Sequence, residues 1–216
     1  GSLDRDSGFE LVERPFEALG FRFESRDLVA RLLAFANYQA SLVQIVCDHL
    51  ARTLTKRAPG AGQPPVTITS SDIDRVTENR DVRHQLAERF RLTVALEDRY
   101  LVIALVVALL SFDDGFTESY DEQDVFSWCR DYWPAGFGDM TQREFRLYLE
   151  EMHGLGVLVR RTDERIAVRS PNVVSMLGKK ADLEQQLEEG RFELPHDYNP
   201  RASRRLVRIR QRLVRS

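Results

Sequence analysis

The run Tyr100-Leu101-Val102-Ile103-Ala104-Leu105-Val106-Val107-Ala108-Leu109-Leu110 constrains this 216-residue chain more than any other stretch. It is apolar on every side, so a helix made from it must be surrounded by other elements rather than laid on a surface. A membrane span needs about 18 or more apolar residues, and this run falls short, which leaves a buried core helix. Glu97-Asp98 can cap its start and suit its dipole, and Asp113-Asp114-Gly115 is a turn signal at its end. The rest of the chain is expected to be built around it.

A hydrophobic content of 43% with 30% charged residues suits a globular chain with one large core or two small ones. The net charge of −3 excludes a global field that would draw the protein to nucleic acid or to a membrane. Cys47 and Cys129 sit inside apolar helical patterns, imply no disulfide framework and suit a reducing compartment. The N-terminus lacks the basic start and apolar core of a signal peptide, so a cytoplasmic protein without a membrane partner is expected. Gly1-Ser2 reads as the scar of a cleaved expression tag, which leaves room for the natural protein to extend at either end.

The first hundred residues read as a small helical bundle. Residues 3–24 mix charges with Phe16, Leu19, Phe21 and Phe23, and suggest a docking segment or short strand. Ser25 can cap a helix carrying Leu28, Val29, Leu32, Leu33 and Phe35. Asn37-Tyr38-Gln39-Ala40 interrupts, and Ser41 is a capping candidate for a second helix with Leu42, Ile45, Val46, His49, Leu50 and Leu54 on one face. Arg57-Ala58-Pro59-Gly60-Ala61-Gly62-Gln63-Pro64-Pro65 is a flexible connection. An extended piece, Val66 to Thr69, precedes Ser70 and Ser71 as caps, a brief helix from Asp72 to Thr77 and a longer one from Asp81 to Thr93.

Beyond Asp98 the order of elements becomes specific. The buried helix is followed by an acidic loop and a helix carrying Val125, Phe126, Trp128 and Cys129. Thr141 with Glu144 forms a capping box for a third helix carrying Phe145, Tyr148, Leu149 and Met152. The alternating strands Val157–Arg161 and Arg165–Arg169 flank a short turn and make a hairpin. Three helices followed by a two-stranded hairpin is the layout of a winged helix, with the second and third helices as its helix-turn-helix. Ser170-Pro171 opens a further helix ending at Gly178, and Ala181–Glu189 carries another. The predicted fold is therefore mainly α: a helical bundle over 3–96, a winged helix-turn-helix domain with C-terminal helices over 97–190, and a basic tail or linker over 191–216. That tail holds seven arginines from Arg201 to Arg215, with Leu206, Ile209 and Leu213 as a narrow apolar stripe.

No Gly-x-x-x-x-Gly-Lys-Ser/Thr stretch and no Gly-x-Gly-x-x-Gly after a strand is present, and Gly60-Ala61-Gly62 lies in the connection. His49, His84, His153 and His196 are far apart and none has metal-ligand spacing to a cysteine. The cluster Asp113, Asp114, Glu118, Asp121, Glu122 and Asp124 reads as a solvated acidic loop. No nucleophile–base pair can be nominated, so the chain by itself is not expected to be an enzyme, and no cofactor or metal is expected within it. A winged helix invites a DNA reading, tested on the third helix and wing. Gln142, Arg143 and Arg146 on that helix, with Arg160, Arg161 and Arg165 on the wing, are the nucleic-acid candidates. Glu150, Glu151, Asp163 and Glu164 make the same face mixed, whereas DNA affinity rests on phosphate contacts and hence on continuous basic surface. A protein-contact or intramolecular role is the favoured use of the face.

The segment Leu19-Gly20-Phe21-Arg22-Phe23, with Asn37-Tyr38-Gln39-Ala40-Ser41-Leu42-Val43-Gln44, resembles the helical lid of STAND-class signalling ATPases, relatives of AAA+ proteins. Ser41-Leu42-Val43-Gln44 matches in kind the start of that family's lid helix, with Ala40 where proline is usual. Ile166-Ala167-Val168-Arg169-Ser170-Pro171-Asn172-Val173-Val174 looks like the wing strand and following helix of the winged helix placed after such lids. The resemblance implies a switch that folds over ATP or ADP held by an upstream ATPase core. It makes Asn37, Tyr38 and Ser41 candidates near the nucleotide base, and Arg169 and Ser170 candidates near its phosphates, where a helix N-terminus suits anions. The expected function is thus a regulatory portion of a larger ATPase; the alternatives are a DNA-binding regulator and a protein-interaction adaptor.

Overall fold

The computed structural model describes residues 2–57 and 65–193. The protein is mainly α-helical, and the chain divides into two compact units: Gly1–Thr93 with Ser175–Leu177, and Val94–Val174 with Gly178–Ser216. The arginine-rich tail and most of the proline–glycine connection lie outside the described residues.

The first unit opens with α1 (Arg5–Ala18), where a docking segment or strand was expected. Phe9, Val12 and Phe16 are buried at helical spacing, a signal obscured by the charges between them and by Pro15. Asp4 caps the helix: its carboxylate accepts the Ser7 N–H at 2.9 Å, a bond that also holds the Asp4 carboxyl below its ordinary range. Proline cannot donate into the helix, and α1 ends within a turn of Pro15, whose carbonyl accepts the Leu19 N–H. Next come β1 (Phe21–Phe23), α2 (Arg26–Phe35), α3 (Ala40–Arg57) and β2 (Val66–Ile68). β1 and β2 pair in parallel with Phe21 opposite Val66 and Phe23 opposite Ile68, an arrangement that needs a crossover and here takes it through two helices. Leu28, Val29, Leu32 and Leu33 of α2 face Leu42, Val46, Leu50 and Leu54 of α3 across the core, all buried. Ser25 stands at the N-cap position of α2, but its side chain makes no capping bond. α3 begins at Ala40, so Ser41 lies in its first turn instead of capping it. The unit closes with α4 (Ser70–Glu78) and α5 (Arg80–Val94). The α4 cap is Thr69, one residue before the expected serines, with its N–H and hydroxyl both donating to the buried Asp72 carboxylate.

The second unit consists of α6 (Asp98–Asp114), α7 (Glu122–Tyr132), the single turn α8 (Pro134–Phe137), α9 (Gln142–Gly154), β3 (Leu158–Arg160), β4 (Ile166–Val168), the first part of α10 (Pro171–Leu177) and α11 (Lys180–Glu189). α6 is the apolar run, and every residue from Val102 to Leu109 is buried, with α7, α9, β4 and α11 packed around it. Its N-cap, Glu97, does not cap through its side chain. The Thr141–Glu144 capping box forms as the sequence predicts, with the Thr141 N–H and hydroxyl donating to Glu144 at 2.8 and 2.7 Å. Thr141→Ala is expected to cost about 1 kcal/mol, read as a lower midpoint in urea with an unchanged slope. β3 and β4 pair antiparallel, Leu158 opposite Val168, and are shorter than the predicted strands. Tyr120 adds a third, one-residue strand: its N–H and carbonyl bond reciprocally with Ile166 at 2.7 and 2.8 Å. No helix among the described residues is long and apolar enough to cross a membrane.

Both cysteines are withdrawn from water, Cys129 on α7 fully and Cys47 on α3 mostly. Burial pushes the Cys47 thiol up to about 12 and the Cys129 thiol further in the same direction. Because the thiolate is the reactive form, neither is expected to react with a colorimetric disulfide reagent at pH 8 until denaturant is added. Fast reaction of the native chain would contradict the packing. Burial also raises Tyr100, Tyr148 and Tyr120, the last to about 12. The unfolded chain releases these protons first, from the ordinary 9.0 for Cys and 10.0 for Tyr, so the native state binds more protons across that range. Their stabilisation is complete below about pH 9 and is lost as pH rises through the folded values. Urea midpoints read by Trp128 and Trp133 fluorescence should therefore fall steadily above pH 9.

Candidate functional site

The second unit gathers its polar chemistry around one acid at the start of α7. Asp121 caps that helix, its carboxylate accepting the Gln123 N–H at 2.8 Å, which fixes Glu122 as the first helical residue. Glu122 is only 8% exposed and accepts from three side chains. Gln142 Nε2 donates at 3.0 Å, Arg146 Nε donates to both oxygens at 3.0 and 3.2 Å, and Arg160 Nη2 donates at 3.4 Å. The carboxylate's hydrogen bond and charge raise the Arg146 guanidinium further above its usual value. Arg160 reaches onward to the Glu164 carboxylate at 3.3 Å. A single carboxylate thus ties α7, the first turn of α9 and the β3–β4 hairpin together.

Five acids of the predicted solvated cluster, Asp113, Asp114, Glu118, Asp121 and Asp124, are exposed as expected, and Glu122 alone is buried. Asp121 is a cap, Glu122 a buried acceptor, and Asp113 an ion-pair partner of Lys180. Of the six nucleic-acid candidates, Gln142, Arg146 and Arg160 converge on Glu122, although the Arg146 side chain is still 56% exposed; Arg143, Arg161 and Arg165 are exposed as well. The hairpin turn is closed by Glu164 in the left-handed region (φ 64°), its N–H donating to the Arg161 carbonyl, while Asp163 accepts from the Arg165 N–H. The groove between α7, α9 and the hairpin is lined by the carboxylates of Asp121, Glu122, Glu150, Asp163 and Glu164 against the guanidinium groups of Arg146, Arg160 and Arg165. Acid outnumbers base on the face that a DNA reader would keep basic.

Next to the groove, between α9 and the hairpin, lies a cavity of about 170 Å³ walled by Leu149, Leu158, Val159 and Ile166, with His153, Glu150 and Arg160 at its edge. Glu150 and Arg160 line both cavity and groove.

A second cluster, missed at the sequence level, sets the position of α9. Arg99, in the first turn of the apolar helix, is 1% exposed. Its Nε donates to the Gly136 carbonyl at 2.7 Å, and Nη1 donates to Glu97 at 3.0 Å and to the Tyr148 hydroxyl at 2.9 Å. Tyr148 in turn donates to Glu97 at 2.8 Å, and the Tyr100 hydroxyl donates to Glu151. An arginine at the mouth of a helix that is apolar all round has no water to face and must find protein partners. That argument was available from the sequence alone.

The nucleotide candidates divide between the units. Asn37 and Tyr38 form the α2–α3 turn with both residues left-handed (φ 51° and 54°), a conformation costly for tyrosine. Their backbone is pinned: the Tyr38 N–H donates to Leu33 and its carbonyl accepts the Leu3 N–H. Asn37 is buried, and Ser41 is half-buried one turn on. In the second unit Arg169 is half-buried with its N–H bonded to the Val157 carbonyl, and Ser170 stands at the N-cap of α10 ahead of Pro171. Among the described residues no group of three or more His, Cys, Asp or Glu side chains could hold a metal ion. Comparison with protein-family models, with curated proteins and with solved structures found no match.

Proposed function

We propose that the chain is a regulatory, non-catalytic module whose second unit is a winged helix used for protein contact, in which a lid-like first unit and that winged helix couple ATP or ADP bound by an upstream ATPase core to interdomain or partner contacts. The observation that carries the protein-contact reading is the Glu122 cluster. Gln142, Arg146 and Arg160, the side chains placed to read DNA, are bonded to a buried acid instead, within a groove richer in carboxylates than in guanidinium groups. The order α6, α7, α9, hairpin, with Tyr120 bonded to Ile166, supports the winged-helix assignment. The strained turn at Asn37-Tyr38 supports the lid reading, because backbone strain concentrates where ligands or switches need it.

The ATPase part is tested on the parent reading frame and protein. A phosphate-binding loop and an acidic strand are expected upstream of Leu3, within about one domain length of 200 residues. In that protein, Ser41→Ala and Arg169→Ala should each speed release of a fluorescent ADP by about tenfold, the loss of one charge-assisted hydrogen bond. A start codon near Leu3, or unchanged release in both variants, would overturn it. The runner-up, a DNA-binding regulator, retains Arg143, Arg161 and Arg165 as exposed cations, and salt-sensitive DNA binding is the result that would favour it.

A further inference from the structure

The hydrogen-bond register of the hairpin leaves one strand edge open. The Arg169 N–H donates to the Val157 carbonyl at 3.0 Å and the Arg161 N–H to the Arg165 carbonyl at 2.8 Å, so Val157, Val159 and Arg161 turn their backbone groups toward β4. Leu158 and Arg160, the residues between, turn their N–H and carbonyl groups the other way. Ile166, opposite Arg160, shows the same alternation on β4, where its outward groups are taken by Tyr120. Among the described residues no strand and no backbone group takes those of Leu158 and Arg160. The cavity of about 170 Å³ runs along this edge: Leu158, Val159 and Arg160 all line it, although consecutive strand residues point to opposite faces. Leu158, 2% exposed, marks its inner end, and the half-buried Arg160 its mouth.

An open edge beside an apolar cavity is the recognition geometry of strand addition, in which backbone bonds give affinity and a pocket for a side chain gives specificity. A cavity of about 150 Å³ lined by aliphatic side chains accepts benzene, so this one has room for a valine, leucine or isoleucine side chain among Leu149, Leu158 and Ile166. The charge beside it selects the occupant. Glu122 and Glu164 are committed to Arg146 and Arg160, which leaves the Asp121, Glu150 and Asp163 carboxylates against Arg165 in the groove lining. Glu150 is exposed on α9 and lines both cavity and groove. A second copy of the chain would bring the same excess of acid to the contact, so a different, basic partner is the better match. We propose that the outer edge of β3 takes an added strand from a partner protein: an extended segment that bonds through its backbone to Leu158 and Arg160, places one aliphatic side chain in the cavity and sets a flanking lysine or arginine on Glu150. The proposal rests on the protein-contact reading of this face and names the partner chemistry the face takes.

The probe is the capped peptide Lys-Val-Lys-Val-Lys-Val-Lys, whose charge keeps it monomeric, titrated into the full chain and followed by the chain's amide resonances. Saturable shifts are expected at Leu158, Arg160 and Glu150 with a Kd below about 1 mM, together with about tenfold slower exchange of the Arg160 N–H. The same peptide with two consecutive central nitrogens methylated loses a donor on each of its edges and should bind about tenfold more weakly. Glu150→Lys should weaken binding of the parent peptide by about the same factor. No saturable shift up to about 1 mM, shifts confined to residues away from β3 and α9, equal binding of the methylated peptide or equal binding by Glu150→Lys would each overturn the proposal. Failure of the underlying protein-contact reading looks different: the wild-type chain would then bind a DNA duplex tightly and with steep salt dependence, whatever the peptide does.

Discussion

Arg99→Ala is expected to destabilise the second unit by about 3–5 kcal/mol, the cost of removing one partner from a buried ionic cluster. The guanidinium is 1% exposed and serves Gly136, Glu97 and Tyr148 at once, so its loss leaves a carbonyl, a carboxylate and a hydroxyl without their shared donor. The site cannot relax by moving α8 closer. A Cβ at Gly136 would already lie 2.2 Å from the Trp133 ring, which shows how tightly that turn packs. Arg99→Lys should lie between the two, because one ammonium cannot reproduce a planar fork reaching three acceptors. Urea titration read by Trp133 fluorescence measures both variants. An alanine variant within about 0.5 kcal/mol of wild type, the range of an ordinary surface change, would contradict the cluster's structural role.

Glu122→Ala should lower stability by about 2 kcal/mol, the scale of hydrogen bonds to a charged group. It should also change function in the opposite direction from most substitutions. Arg146 and Arg160 would lose the acid that holds them, and a groove with five carboxylates against three guanidinium groups would become less acidic. The expected outcome is a gain in nonspecific DNA affinity of about tenfold at 50 mM salt, with a steeper salt slope, as released arginines take up phosphate contacts. Adding Arg146→Ala should reverse most of that gain. A variant that unfolds would appear as lost fluorescence and circular dichroism; Glu122→Gln then keeps the shape while removing the charge.

What could be read before any coordinates followed from how local each signal is. The α6 run, the Thr141–Glu144 box and the Gly178 and Gly190 stops each carry their meaning within a few residues, and all stand where the sequence places them. α1 was hidden because Phe9, Val12 and Phe16 are diluted by charge and followed by a proline, so its helical period was outweighed by composition. Ser25, Ser41, Ser70 and Ser71 were capping candidates by type, but capping depends on where the preceding backbone turns, and Thr69 with Asp72 took the role at α4. Glu122 was beyond local reading altogether. Its partners lie 20, 24 and 38 residues away, at Gln142, Arg146 and Arg160, so a charge in an acidic run becomes buried only once three elements meet. The six nucleic-acid candidates lie on α9 and the hairpin, and three of them, Gln142, Arg146 and Arg160, are tied to that distant acid.

The central claim, that the α9–hairpin face is neutralised from within and serves protein contact, is tested most directly by titrating a fluorescent DNA duplex with the wild-type chain and with Glu122→Gln at 50 and 200 mM salt. The account predicts weak wild-type binding that does not depend on Arg146 or Arg160, and tighter, salt-sensitive binding once the Glu122 charge is removed. Tight wild-type binding that falls by about 10³-fold or more between those salts, as six or more phosphate contacts would produce, and that weakens with Arg146→Ala or Arg160→Ala, would contradict it.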